Sequence, residues 1–432
     1  MSAGIKINNY VPSSLAKFQC DLSGRCCGGW EIGMDDCSYE RLKSAMTGKN
    51  DLKRFEDNVK LCEPEEGKAK YYAVIDLSDE RCGLLEDSGL CSIHKDYGFE
   101  ALPDICKTFP RLVYATPFGK ELSVTFACPT AAKLLAQKEK IRKVKNPENF
   151  VLSNGNQYYG LITREIFERT DIKKFYFELE DHFIKILQHD EFSLDERLVL
   201  LGLSLKRLLK FDKPEHENIL SVFRLNHEIM SGSFFKSEVK KIIPAISQQV
   251  FLLKEFINLR LDNVPDLHVK ALLEEVAKNF GFDKDDSQFK LCVDRYIDYY
   301  HEYYYPVRES VEYVFENYLV YFLYRKPFAN HDPEDAYFLT IYFYSLIRLV
   351  AIGLAIEEQR SVDVDMAVKA VWIIEKAVGH SYTFYLTVLE HLSKHSLTSV
   401  SHGITLFLMP EKEEIKCRQN ELDKAFEAIR NS

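Results

Sequence analysis

Cys20-Asp-Leu-Ser-Gly-Arg-Cys26-Cys27-Gly28-Gly29-Trp30-Glu-Ile32 is the stretch on which the reading of this chain turns. Two glycines directly after a vicinal cysteine pair remove the Cβ atoms that would keep the backbone from folding tightly around a bulky ligand. Working outward, the segment from Phe18 to Pro129 holds Cys20, Cys26, Cys27, Cys37, Cys62, Cys82, Cys91, Cys106 and Cys128, nine of the eleven cysteines in the chain. Cys292 and Cys417 lie far away in helical sequence. A free cysteine is a small buried hydrophobe that scatters with the core, so this clustering needs a separate cause, either disulfides or a bound metal or iron–sulfur centre.

The residues Met1–Tyr10 show neither a basic stretch followed by an apolar run nor a small-residue cleavage site. The reading therefore expects a cytoplasmic, reducing compartment, where stable disulfides are rare, and an odd total of eleven fits a pairing scheme badly. A metal–thiolate site becomes the leading explanation. Structural zinc sites announce themselves with C-x2-C or C-x4-C knuckles, which these cysteines lack, whereas a cluster of several irons can gather thiolates from separate loops. Zinc stays as the alternative. The C-x3-C-x2-C spacing of radical methionine-sulfonium enzymes is absent, as are a phosphate loop, G-x-G-x-x-G, H-E-x-x-H and G-x-S-x-G. His94, three residues after Cys91, suits either a mixed ligand set or a hydrogen-bonded structural role.

The 432 residues suffice for two or three domains, and 46% hydrophobic content is ample for buried cores. A formal charge of −10 excludes a sequence-independent grip on nucleic acid, which needs a basic surface. The long apolar run Ala336 to Ile356 contains Arg348 near its middle, so it reads as a buried helix with no membrane role. In the cysteine segment, Asp36 is the expected cap of a helix bearing Tyr39, Leu42 and Met46, followed by a helix over Leu52 to Val59 and a strand over Tyr71 to Ile75. Asp87-Ser88-Gly89 reads as the turn of a hairpin with Cys82 and Cys91 at its ends, continuing as strand through Ser92, Ile93 and His94. A short helix should present Cys106, Leu112 to Thr116 and Glu121 to Phe126 should form a hairpin, and Pro129 should open a helix.

The basic run Lys138 to Pro147 marks a domain boundary, separating a cysteine domain over 1–140 from a helical domain over 150–432. Ser193-Leu-Asp-Glu196 is a capping box, Asp332-Pro333 is a second start signal, and Ser237 to Leu259, Val311 to Tyr324 and Val364 to Val378 carry apolar stripes. The expected fold is α+β and mainly α, a small cysteine-rich α+β domain followed by an all-α domain. Between Tyr296 and Tyr324 stand ten tyrosines with Glu302, Glu309, Glu312 and Glu316 among them. Such a group either attracts a cation to aromatic faces or forms an amphipathic helix pair with hydroxyls in water, and the second is the favoured reading.

Taken together, Phe18-x-Cys20, Cys26-Cys27-x-Gly29-Trp30-x-Ile32, Cys82-x-Leu84-Leu85, Gly89-Leu90-Cys91-x-Ile93-His94, Leu102-Pro103-x-x-Cys106-x-x-Phe109-Pro110-Arg111, Glu121-Leu122-Ser123 and Cys128-Pro129-x-Ala131-Ala132 resemble the flagellin lysine-N-methylase family. The first third is similar to a broader zinc- or iron-chelating cysteine-cluster domain. Glu316-Asn317-Tyr318-Leu319 and Tyr344-x-x-Ile347-Arg348 resemble that family's second half. The resemblance implies methyl transfer from S-adenosylmethionine to lysine ε-amines of flagellin by a protein carrying a [4Fe–4S] cluster. It implies cluster ligands drawn from Cys20, Cys26, Cys27, Cys82, Cys91, Cys106 and Cys128, more than the four that one cluster needs. Tyr313, Glu316 and Tyr318 are the candidate lining of a substrate and S-adenosylmethionine pocket. The competing reading is a non-enzymatic metal-binding domain on a helical scaffold for protein partners.

Overall fold

A computed structural model of the chain describes residues 9–21, 24, 25, 27, 28, 32–62, 71–78, 81–145, 159–264, 266–284, 286–379, 382–394 and 399–412. It divides into two compact units, the first comprising Met1–Arg164, Arg260–Glu274 and Val371–Tyr382, the second Glu165–Leu259, Glu275–Ala370 and Thr383–Ser432. The cysteine-rich unit thus takes two pieces from the sequence of the helical half.

The first unit contains strands β1 (Tyr10–Pro12), β2 (Ile32–Met34), β3 (Val59–Leu61), β4 (Ala73–Ile75), β5 (Leu77–Ser78), β6 (Arg81–Cys82), β7 (Arg111–Thr116), β8 (Gly119–Val124), β9 (Lys143–Lys145) and β10 (Gly160–Leu161). The main sheet runs β10-β7-β8-β1-β9. Its centre is the expected hairpin, with Thr116 opposite Gly119. The Thr116 hydroxyl closes the turn, accepting the Phe118 N–H and donating to the Gly119 carbonyl. β9 comes from the basic run read as a linker and pairs antiparallel with β1.

A second, antiparallel sheet runs β2-β4-β3, and β5 pairs with β6. Against them packs helix Asp36–Thr47, whose cap is Asp35 and not Asp36: the Asp35 carboxylate accepts the Ser38 N–H at 2.7 Å. Its apolar face, Tyr39, Leu42 and Met46, closes a small core with Ile32, Phe55, Ile75, Leu84 and Ile93. Extended structure ends one step earlier than expected. The bridge between Leu85 and Cys91 is isolated, and Ser92–Tyr97 is helical. The reason is local: the Ser92 N–H and hydroxyl both donate to the Leu84 carbonyl, turning the chain away from the ladder.

Every element among the described residues of the second unit is helical, and the fold is α+β and mainly α, as the sequence indicates. Ser193 and Glu196 form the predicted capping box of helix Leu194–Leu208. Asp332 caps helix Pro333–Glu358, whose residues from Ala336 to Ala355 are all buried. By length and composition this helix could cross a membrane, but 94% of its most apolar window is packed inside the protein. The stripe expected from Ser237 to Leu259 is two helices, Phe234–Val239 and Ile246–Leu261. Pro244 falls between them, where its missing N–H and its ring break a continuous helix.

Candidate functional site

Cysteine loops in the first unit are drawn together by backbone contacts. The Cys27 N–H donates to the Gly24 carbonyl and the Cys82 N–H to the Cys27 carbonyl, both at 2.9 Å. Gly24 has φ +64°, and a Cβ there would lie 1.9 Å from the Gly89 carbonyl oxygen, so the loop before Cys27 presses directly on the turn before Cys91. Cys82 is part of the small core, with Cys27, Cys91 and Cys106 packed against it. Burial, reinforced by the nearby Cys91 thiol, pushes the Cys82 thiol up to about 11.

Cys20 and Cys128 each lie close enough to Arg111 to act on its charge. The guanidinium lies 5.3 Å over the Phe18 ring; burial lowers its pKa, while Cys20 and Cys128 act in the opposite sense. Arg111 gained no role from sequence reasoning, although it stands in the quoted Phe109-Pro110-Arg111 motif. His94 sits on helix Ser92–Tyr97 with its ring 6.0 Å from Phe99. Cys26, Gly29 and Trp30 of the opening motif, and Cys417, lie outside the described residues. Among the described residues no three His, Cys, Asp or Glu side chains are grouped as a metal site.

In the second unit the tyrosine-rich segment is far more buried than an amphipathic pair with wet hydroxyls. Tyr296, Tyr300, Tyr304, Tyr318, Tyr321 and Tyr324 are all in the core. Helix Phe289–Tyr299 runs into a π-helical turn, Tyr300–Tyr304, before helix Arg308–Leu323 begins. The extra residue of a π turn rotates the following side chains, and such turns recur at functional sites.

Around this turn lies a buried polar centre. The Asp195 carboxylate accepts the Tyr344 hydroxyl at 2.8 Å and the Arg348 guanidinium at 3.3 Å, and Arg348 also donates to the Phe407 carbonyl at 2.6 Å. The Arg348 guanidinium carbon stands 5.3 Å from the Tyr300 ring and 4.8 Å from the Tyr344 ring. The aromatic faces and carboxylates do attract a cation, and that cation is the chain's own Arg348. Burial raises the Asp195 pKa, and Arg348 and the Tyr344 hydroxyl oppose that rise.

Two glutamates one turn apart on helix Arg308–Leu323 hold the start of helix Leu194–Leu208. Glu312 accepts the Leu194 N–H at 3.1 Å, and Glu316 pairs with Arg197, whose other donors go to the Phe192 and Leu187 carbonyls. Burial first, then the neighbouring Asp195, pushes Glu312 up to about 7, despite the Leu194 N–H, Arg197 and Arg308. The Tyr296 and Tyr304 hydroxyls are buried without a hydrogen-bond partner among the described residues. Glu312 is thus a carboxyl of this centre that burial pushes toward neutrality.

The three predicted pocket residues do not share one surface. Glu316 is committed to Arg197, and Tyr318 is buried with its ring near Phe322. Tyr313 is half-buried, its hydroxyl pushed up by burial and by the Asp365 carboxylate.

A sequence profile described as FliB lysine N-methylase C-terminal domain matches residues 180–406, more than half of the chain. The chain belongs to the FliB lysine N-methylase family. No curated protein and no solved structure matches it. The FliB match takes in Asp195, Arg197, the tyrosine-rich turn, Glu312, Glu316 and Arg348, so the buried polar centre falls inside the family's C-terminal domain. The cysteine loops fall outside the matched residues. Sequence reasoning named Glu316 and quoted Arg348, but it missed Asp195 and Glu312 as members of one centre. Arg348 carried the only signal, a charge in an apolar run.

Proposed function

We propose that this chain is a protein-lysine N-methyltransferase that transfers methyl groups from S-adenosylmethionine to flagellin lysines in the cytoplasm, with an iron–sulfur cluster in its cysteine segment. The match to the lysine N-methylase family over residues 180–406 carries the reading. Cluster ligands would be drawn from Cys20, Cys26, Cys27, Cys82, Cys91, Cys106 and Cys128. No chemical step is assigned to the cluster.

When bound, S-adenosylmethionine supplies a methyl sulfonium. The nitrogen–methyl bond forms as the sulfur–methyl bond breaks, and the lysine must first give up its ammonium proton. A partly desolvated aromatic surface lowers the lysine pKa and so favours the neutral amine, while holding nitrogen, methyl and sulfur in line supplies much of the remaining advantage. Of the three residues on helix Arg308–Leu323, half-buried Tyr313 beside Asp365 is the one offering an aromatic face and a negative charge to a sulfonium. Glu316 and Tyr318 support that helix from inside.

Incubating purified, metal-replete protein with labelled S-adenosylmethionine and flagellin tests the reading. Label on lysine side chains is the expected result. Unlabelled flagellin, together with intact binding of metal and protein partners, would replace it with the scaffold reading.

A further inference from the structure

Helix Val364–Val378 ends with two adjacent charged residues, Glu375 and Lys376, and both are buried. Buried charge is costly unless each group is committed to partners, so the partners show what the charges are for. Glu375 accepts the Phe126 N–H at 3.1 Å and the Thr125 hydroxyl at 3.4 Å. Thr125 in turn takes the Ala127 N–H, so the carboxylate fixes a short loop leading straight into Cys128. Lys376 donates to the Gly28 carbonyl, immediately after Cys27, and its ammonium lies 3.9 Å from the Asp266 carboxylate. Consecutive residues of one helix end therefore hold two cysteine-bearing loops that are about a hundred residues apart in sequence. Gly379 leaves room for this, because a Cβ there would come 3.2 Å from the Glu375 carboxyl carbon.

We propose that Glu375 and Lys376 are positioning residues for the cysteine site, a two-pronged anchor that sets the loop of Cys27 and the loop of Cys128 relative to each other. Each acts through a backbone group one or two residues from a thiol. This inference rests on reading the cysteines as the working site, and it deepens that reading by adding two residues from the helical half of the sequence.

The test is residue-resolved alkylation of the full-length protein with iodoacetamide, followed by mass spectrometry, beside a measurement of metal per chain. In the wild type Cys128 is buried and should react slowly. Glu375→Gln should raise the Cys128 rate about tenfold or more, as expected for losing a hydrogen bond to a buried charge. Lys376→Met should raise the rate of Cys27 similarly, and Lys376→Arg should restore it. Cys37 and Cys292, on other elements, should not change in any variant. A uniform rise at all cysteines, or no change at Cys128 and Cys27, would overturn the proposal. If Glu375→Gln does not fold, Thr125→Val removes one hydrogen bond of the same prong and should give a smaller rise confined to Cys128. Selective alkylation with no methylation of flagellin would leave the anchor standing and remove the functional reading; methylation without selective alkylation would do the reverse.

Discussion

Replacing Arg348 by methionine tests whether the polar centre of the helical unit is held by its own cation. Arg348 is fully buried, donates to Asp195, Tyr344 and Phe407, and lies against two tyrosine rings. Methionine has similar length and fills the space, so the loss is mainly electrostatic: Asp195 stays behind without its nearest cation, held by the Tyr344 hydroxyl, and the Phe407 carbonyl loses its short bond. Removing one member of a buried ion pair costs about 3–5 kcal/mol. In a unit of this size each kcal/mol lowers the melting temperature by roughly 2–4 °C, so a fall of about 6–20 °C is expected. Urea and thermal unfolding of both proteins measure it. The double variant Asp195→Asn/Arg348→Met should recover about 1–3 kcal/mol of that loss, because the uncompensated charge is then gone. A single variant within about 1 kcal/mol of wild type, or a double variant no more stable than the single one, would refute the argument.

The raised Glu312 carboxyl gives a pH dependence of known sign. Between its unfolded value of 4.5 and about 7 the folded state binds the extra proton, so this group's contribution to stability falls as pH rises through that window. Glu312→Gln should flatten the difference when urea midpoints are measured from pH 4.5 to 8, and a parallel curve for the variant would contradict the assignment. Gly24→Ala places a Cβ against the Gly89 carbonyl at a residue with φ +64°. Backbone strain alone costs about 1–3 kcal/mol there, so the first unit should unfold at lower urea, and an unchanged midpoint would mean the two cysteine loops are not in contact. Ser193→Ala removes the capping-box acceptor of helix Leu194–Leu208 and should cost about 0.5–2 kcal/mol. Full stability after that change, by the same unfolding assay, would show the cap to be dispensable.

How much of this could be read in advance follows from the range of each interaction. Helix starts are local, so Ser193 with Glu196 and Asp332 with Pro333 were legible from neighbours three residues apart or fewer. The Asp35 cap was displaced by one residue because Asp35 and Asp36 are chemically alike, and only the extended backbone of Asp35 separates them. Ser92 was read as strand because its attachment to Leu84 depends on a turn closing first. Pro244 was visible in the sequence and should have split the apolar stripe around it. Of the candidate site, the types of residue were legible but their company was not. Asp195 and Arg348 are 153 positions apart, and Glu375 reaches Thr125 across 250, distances over which no periodicity or spacing carries information.

Helix Pro333–Glu358 brings a hazard during synthesis, because it leaves the ribosome as an oily segment before helix Val400–Thr405, which packs on it, exists to cover it. A translocon samples such segments, and an arginine near the centre adds about 2.5–3.5 kcal/mol to the free energy of insertion. The guanidinium that knits the finished interior therefore also marks the nascent chain as unsuitable cargo for the bilayer. Its loss would weaken the folded protein and, in the same stroke, make misdelivery easier.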